Sequence, residues 1–322
     1  MTYVPSAFSP AVLLAQQAGE LIGHLPGIRN ADAVSVHDAR VATRRLREAL
    51  PLFARAYPDD VERLGTLLRQ AGRRLGRVRE LDVMDAGLAH RSVRLAAAIQ
   101  VIGAARGALA RRQERARRKL VRAFDSFGLD ASGALRLPVP GGLRRRLRGD
   151  SPRGWEDALR DRIVARADDL RRAIEHASGV YFPNRAHQVR VAVKKLRYAC
   201  ELAQASGVWR PRNLLGDLKR AQEALGQLHD AQVLLDSTDD LVAETGIDPV
   251  QIRILKDDLS CEVAEHHARY LSQRERLLGV CGACDRMPGV GRAPRLSEAI
   301  TRGAPGGARG SSPRAGRAWP PR

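Results

Sequence analysis

One eleven-residue segment occurs twice. His37-Asp38-Ala39-Arg40-Val41-Ala42-Thr43-Arg44-Arg45-Leu46-Arg47 returns 150 positions later as His187-Gln188-Val189-Arg190-Val191-Ala192-Val193-Lys194-Lys195-Leu196-Arg197. Over positions 37–50 and 187–200, seven of fourteen residues are identical, and Arg44/Lys194 and Arg45/Lys195 change residue but keep charge. The offset persists downstream in Leu68/Leu218, Arg69/Lys219, Ala71/Ala221, Leu75/Leu225, Gly76/Gly226, Glu80/Asp230 and Val83/Val233. A register held this long predicts two structurally equivalent halves.

Leu, Ala and Arg dominate the 322 residues and aromatics make up only 4%, a balance of strong helix formers that predicts an all-α fold. Caps and breakers place helices at about 9–26, 32–56 (with a kink near Arg47 imposed by Pro51), 59–87 and 92–127. A Pro/Gly/Arg-rich linker is expected at 136–150, followed by helices at about 152–178, 184–206, 211–243 and 248–280. The halves are thus about 9–130 and 151–285, four helices each. Residues 286–322 offer little to bury and are expected to be a disordered basic tail.

The net charge is +19, and the tail, with eight Arg against Glu298, supplies only +7 of it. Fifty of the 55 basic residues are Arg, yet three of the five Lys, at 194, 195 and 219, stand where the other half has Arg. Charge is therefore retained where residue type is not, which points to a polyanionic partner. On a helical wheel His37, Arg40, Arg44 and Arg47 lie opposite Ala42, Leu46 and Phe53, and His187, Arg190, Lys194 and Arg197 lie opposite Ala192, Leu196 and Ala203. Each stripe repeats its cations about every 5.4 Å, and such neighbours repel one another unless something compensates. Only Glu48 and Glu201 supply counter-charge near the stripes, and they are expected to orient neighbouring cations. Arg forks suit multidentate phosphate contact, Lys adds a point charge, and His a donor.

The two basic segments, together with Tyr198…Glu201, Leu75-Gly76…Arg79-Glu80-Leu81-Asp82-Val83 and Leu225-Gly226…His229-Asp230, resemble the paired signatures of the CHAD family, the conserved histidine α-helical domain. The resemblance covers roughly residues 5–285. It implies two four-helix bundles related by pseudo-twofold symmetry, binding of inorganic polyphosphate in a basic central channel, and association with polyphosphate granules. Carried onto this sequence, the family's basic positions are His37, Arg40, Arg44, Arg45, Arg47, His187, Arg190, Lys194, Lys195 and Arg197, with Arg69, Arg73 and Lys219 in support. One departure is Glu223, which stands opposite Arg73 in the repeat. Arg45 and Lys195 lie to one side of the stripes, where they line another wall or meet an acid.

No G-x-x-x-x-G-K-[ST] loop occurs, and Asp168-Asp169, Asp239-Asp240 and Asp257-Asp258 are adjacent, so both carboxylates of a pair do not readily face one metal. The E-x-E-x-K strand motif of the CYTH domains that accompany some CHAD domains is absent as well. A stand-alone binding module is expected, with no enzymatic activity and no cofactor. Cys281-Gly282-Ala283-Cys284 would hold zinc only with two further ligands such as His266, His267 or Cys261, so no metal is expected. Four Cys in a chain this long and no leader or 18-residue apolar run predict a reducing, cytoplasmic setting without a membrane span. The alternatives are nucleic-acid binding through the same basic surface, expected as a weak, salt-sensitive side property, and a granule scaffold recruiting acidic proteins.

Overall fold

The computed structural model describes residues 10–30, 32–126, 154–177, 179–211, 213–243 and 247–288. The expected linker, and the tail beyond residue 288, lie outside them. The chain forms α1 (Pro10–Gly23), the short α2 (Leu25–Arg29), α3 (Ala33–Ala49), α4 (Pro58–Arg94), α5 (Ile99–Ser126), α6 (Trp155–His176), α7 (Pro183–Ala205), α8 (Leu214–Val242), α9 (Pro249–Leu271) and α10 (Arg274–Asp285). Among the described residues there is no strand, so the fold is all-α as expected. Helices α7 and α9 begin 150 residues after α3 and α5.

The first basic helix starts where Asp32 accepts hydrogen bonds from the Val34 and Ser35 amides at 3.4 and 2.7 Å, a side-chain N-cap. It ends at Ala49 instead of kinking and running on to 56. Pro51 removes a donor, and the chain tightens into a 3₁₀ turn, Leu50–Phe53, which buries Leu50, Leu52 and Phe53. The second basic helix closes on Gly207, at φ 74°, a left-handed position glycine occupies without strain; its amide donates to the Gln204 carbonyl at 3.2 Å.

Two boundaries differ from expectation for tertiary reasons. Helix α4 runs through Gly87 to Arg94, because Gly87 is a packing point and not a stop: a Cβ there would lie 3.6 Å from Leu234, and Arg91 folds back to donate to the Gly87 carbonyl at 3.0 Å. The expected helix 248–280 breaks at Ser272-Gln273 into α9 and α10. The new direction lays Leu277, Val280, Cys281 and Cys284 of α10 into the core beside α6.

The basic helices lie in contact at the centre, α3 flanked by α1 and α4, α7 by α6 and α8. Their apolar faces are sealed: Val36, Ala39, Ala42 and Leu46, and Val189, Val193, Leu196 and Ala199, are each at most 2% exposed. A second core, Leu81, Met84 and Leu88 of α4, Val101 to Leu109 of α5, Leu234 and Leu241 of α8, Leu255 and Leu259 of α9, draws two helices from each half. The halves therefore share apolar core. Cys200 of α7 meets Cys281 and Cys284 in the first core. A hydrogen bond with Cys284 and burial raise the Cys200 pKa, and burial pushes Cys281 up to about 12, so both stay protonated. Cys261 is exposed and His266 faces Glu262. Among the described residues no group of three or more His, Cys, Asp or Glu could hold a metal ion, and no helix is long and apolar enough to cross a membrane.

One ion-pair network that ties the halves together is centred on Arg91, 4% exposed. It donates to Asp258 of α9 at 3.0 Å and to Glu262. Removing one partner of a buried pair strands the other charges. Arg91→Ala should lower unfolding free energy by about 3–5 kcal/mol in urea titrations followed by circular dichroism; a loss below about 1 kcal/mol would show the tie to be dispensable.

Candidate anion-binding cavity

A cavity of about 930 Å³ opens where α3 and α7 meet. Helix α3 contributes Arg40, Arg44 and Arg47, and α7 contributes His187, Arg190, Lys194 and Lys195. Arg69, Arg73 and Arg77 line it from α4, Arg162 and Arg166 from α6, and His229 from α8. Among the described lining residues, eleven Arg and Lys face three acids, Glu48, Glu62 and Glu80.

Two of those acids are already engaged. Glu48, with a side chain 9% exposed, accepts from Arg162 and Arg166 at 3.1 and 2.9 Å. Glu80 pairs with Arg77 at 2.6 Å. Arg190 reaches Asp230 only at 3.9 Å, and its buried Nε has no hydrogen-bond partner. A buried donor without an acceptor is costly, and here it is part of the cavity wall.

The electrostatics follow from burial and from cations facing cations. Burial, reinforced by Arg190, Arg44 and Arg40, lowers the Lys194 pKa to about 6. Burial, then Arg44 and Arg190, lowers Arg40 to about 10. Arg190 moves down as well, mainly by burial, against the pull of Asp230. His229, half-buried and beside Arg190 and His187, falls to about 3, chiefly through that burial, and His187 is lowered by burial and by Arg190. Their rings stand 4.9 Å apart. The cavity thus disfavours its own protons, the condition an incoming anion reverses.

Nine of the thirteen sequence-derived positions line this cavity: Arg40, Arg44, Arg47, Arg69, Arg73, His187, Arg190, Lys194 and Lys195. The other four do not. Arg45 sits 4.0 Å from Glu20 and, with Lys219, lines a separate cavity of about 560 Å³. Arg197 donates to Gln222 at 2.8 Å, pairs with Glu201 and lies 4.4 Å over the Tyr198 ring. His37 lies outside the lining, with its pKa lowered by burial and Arg79.

The family model of the CHAD domain matches residues 12–238. The chain belongs to the CHAD family. Two solved structures share its fold: PptA from Streptomyces chartreusis, at TM-score 0.60 and 21% identity over 84% of this chain and 100% of that one, and the CHAD domain from the plant Ricinus communis, at 0.60 and 22% over 86% and 94%. No curated protein matches the chain.

Within this CHAD fold the two halves diverge at identifiable residues. Gly72 leaves room for Arg47, whose guanidinium lies 3.8 Å from where a Cβ would stand. The matching position in the second half is Gln222, which with Glu201 captures Arg197. Arg77, Arg162 and Arg166 are not among the sequence-derived positions, and His229, part of the family signature, is not among its basic positions. Arg77 was findable, one turn beyond Arg73. Arg162 and Arg166 were not, because Val12 and Gln16 stand opposite them in the repeat; Arg79 stands opposite His229.

Because Lys194 is largely neutral above pH 6 in the anion-free site, anion binding there takes up a proton. Affinity should rise as pH falls from 8 towards 6, by at most about tenfold per pH unit per proton, and level off below 6. Calorimetry in buffers of different ionisation enthalpy reads the uptake directly, and Lys194→Gln should flatten the profile. A wild-type profile flat from pH 6 to 8 would contradict this account.

Proposed function

We propose that the chain is a stand-alone polyphosphate-binding module, and that this binding places it on polyphosphate granules. The observation that carries the reading is the half-buried meeting of Arg40, Arg44, Arg190 and Lys194 across α3 and α7, where burial first and the facing cations second depress the pKa of both Arg40 and Lys194. Such a cluster is complementary to a dense linear anion whose oxygens meet forks and point charges from two walls at once.

The lining also favours polyphosphate over nucleic acid. Single-strand binders place bases on aromatic platforms. Tyr198 is the one Phe, Tyr or Trp among the described lining residues, and Arg197 already covers its ring. Glu48 and Glu80 are tied to arginines, an arrangement that suits retention of the anion and not metal-assisted cleavage of it. We therefore read the protein as a binder and not an enzyme, and nucleic-acid contact as a salt-sensitive side property.

Reversing charge at Arg40, Arg44, Arg190 and Lys194 to Glu should weaken polyphosphate binding well over 100-fold, at about 1.5–3 kcal/mol for each charge-assisted hydrogen bond. A Gln version of the same four positions serves if reversal disturbs folding. Helicity is checked by circular dichroism and affinity by competition against DNA and RNA at physiological salt. Undiminished affinity in a folded variant, or displacement of polyphosphate by equimolar nucleic acid, would overturn the reading. The same variant fused to a fluorescent protein should leave granules, whereas a chain lacking 286–322 should remain on them.

A further inference from the structure

A second basic surface lies outside the cavity. Helices α4 and α5 pack side by side, and between them runs a groove of about 970 Å³ lined by Arg73, Arg74, Arg77, Lys119 and Arg122, with Gln70 and Ala123. No acid is among the described lining residues. All five cations are exposed, so solvation alone tolerates them, but two of them belong to more than this groove. Arg73 and Arg77 also line the central cavity. Arg77 is held by Glu80 at 2.6 Å, and Glu80 is itself a cavity residue. The two basic regions therefore meet at shared side chains, Arg73 and Arg77.

The geometry favours one continuous track. From Arg40 to Arg47 the cavity follows α3 for about 10 Å, and from Gln70 to Arg77 the groove follows α4 for about the same distance. Within the groove the cations step by one helical turn, Arg73 to Arg77 on one wall and Lys119 to Arg122 on the other.

We propose that a long polyphosphate chain leaves the central cavity over Arg73 and Arg77 and continues along the α4/α5 groove, held there by Arg74, Lys119 and Arg122. This rests on the cavity being a polyphosphate site, and it gives the protein a preference for long chains built from residues outside that cavity.

The test is the triple variant Arg74→Glu, Lys119→Glu, Arg122→Glu, with a Gln version as companion, which leaves every cavity residue in place. Affinity for tripolyphosphate should be unchanged, whereas affinity for long-chain polyphosphate should fall about tenfold or more. The slope of log affinity against log salt for the long chain should drop by about two to three, at roughly 0.7–0.9 for each phosphate that is no longer neutralised. Unchanged long-chain affinity in the folded variants, or equal proportional loss for both ligands, would overturn the proposal, as would a loss confined to single-stranded RNA. Failure of the cavity reading shows separately: tripolyphosphate would then bind equally well to the variant with Arg40, Arg44, Arg190 and Lys194 reversed.

Discussion

Two helices with opposed faces meet along their charged sides, and the structure is organised around making that tolerable. Arg40 and Arg44 face Arg190 and Lys194 with one weak acidic contact, Arg190 to Asp230 at 3.9 Å, to offset them. Left in water, α3 and α7 would separate. What holds them is on their other sides, where Val36, Ala39, Val189, Val193 and Leu196 are fully buried, at about 25 cal/mol for each Å² of apolar surface removed from water. The repulsion is thus opposed by core packing, and the unliganded cavity retains an electrostatic deficit. An anion that binds the folded state and not the unfolded chain relieves that deficit and adds to stability by mass action.

Acid placement decides how much of the deficit survives. Glu48 is turned towards α6, where Arg162 and Arg166 close on it. Glu201 keeps Arg197, and Glu80 keeps Arg77. These acids thus engage arginines at the ends and walls, while Arg40, Arg44 and Lys194 at the crossing have no carboxylate in ion-pair range among the described residues. Moving one acid to the crossing would neutralise cations that now face the cavity without a carboxylate in range.

Most of the architecture was legible because it rests on local signals. The α3 and α7 stripes follow from helical period plus a repeat that retains charge, and Asp32 marks the start of the first. The α9/α10 break was not legible, because Ser272-Gln273 carries neither Gly nor Pro and the turn is made by α10 packing on α6. Gly87 misled for the converse reason: its lack of a side chain serves contact with Leu234 instead of ending a helix. At the site, the repeat singles out the cations of α3 and α7, and gives no signal for Arg162 and Arg166 of α6, which have Val12 and Gln16 opposite them. It also included Arg197, whose fate depends on Gln222 across the helix interface.

That last exchange shows how duplication yields a directional site. If both halves behaved alike, Arg47 and Arg197 would flank the crossing equally. Gly72 lets Arg47 stay in the cavity beside Arg69, and α6 adds Arg162 and Arg166 on the same side. Gln222 and Glu201 withdraw Arg197, Tyr198 stands where the first half has Glu48, and Arg45 and Lys219 face a different cavity containing Glu20 and Glu201. Positive charge is therefore weighted towards α4 and α6. An anion on the α4 side would meet Arg69, Arg73 and Arg77 in addition to the cations of the crossing.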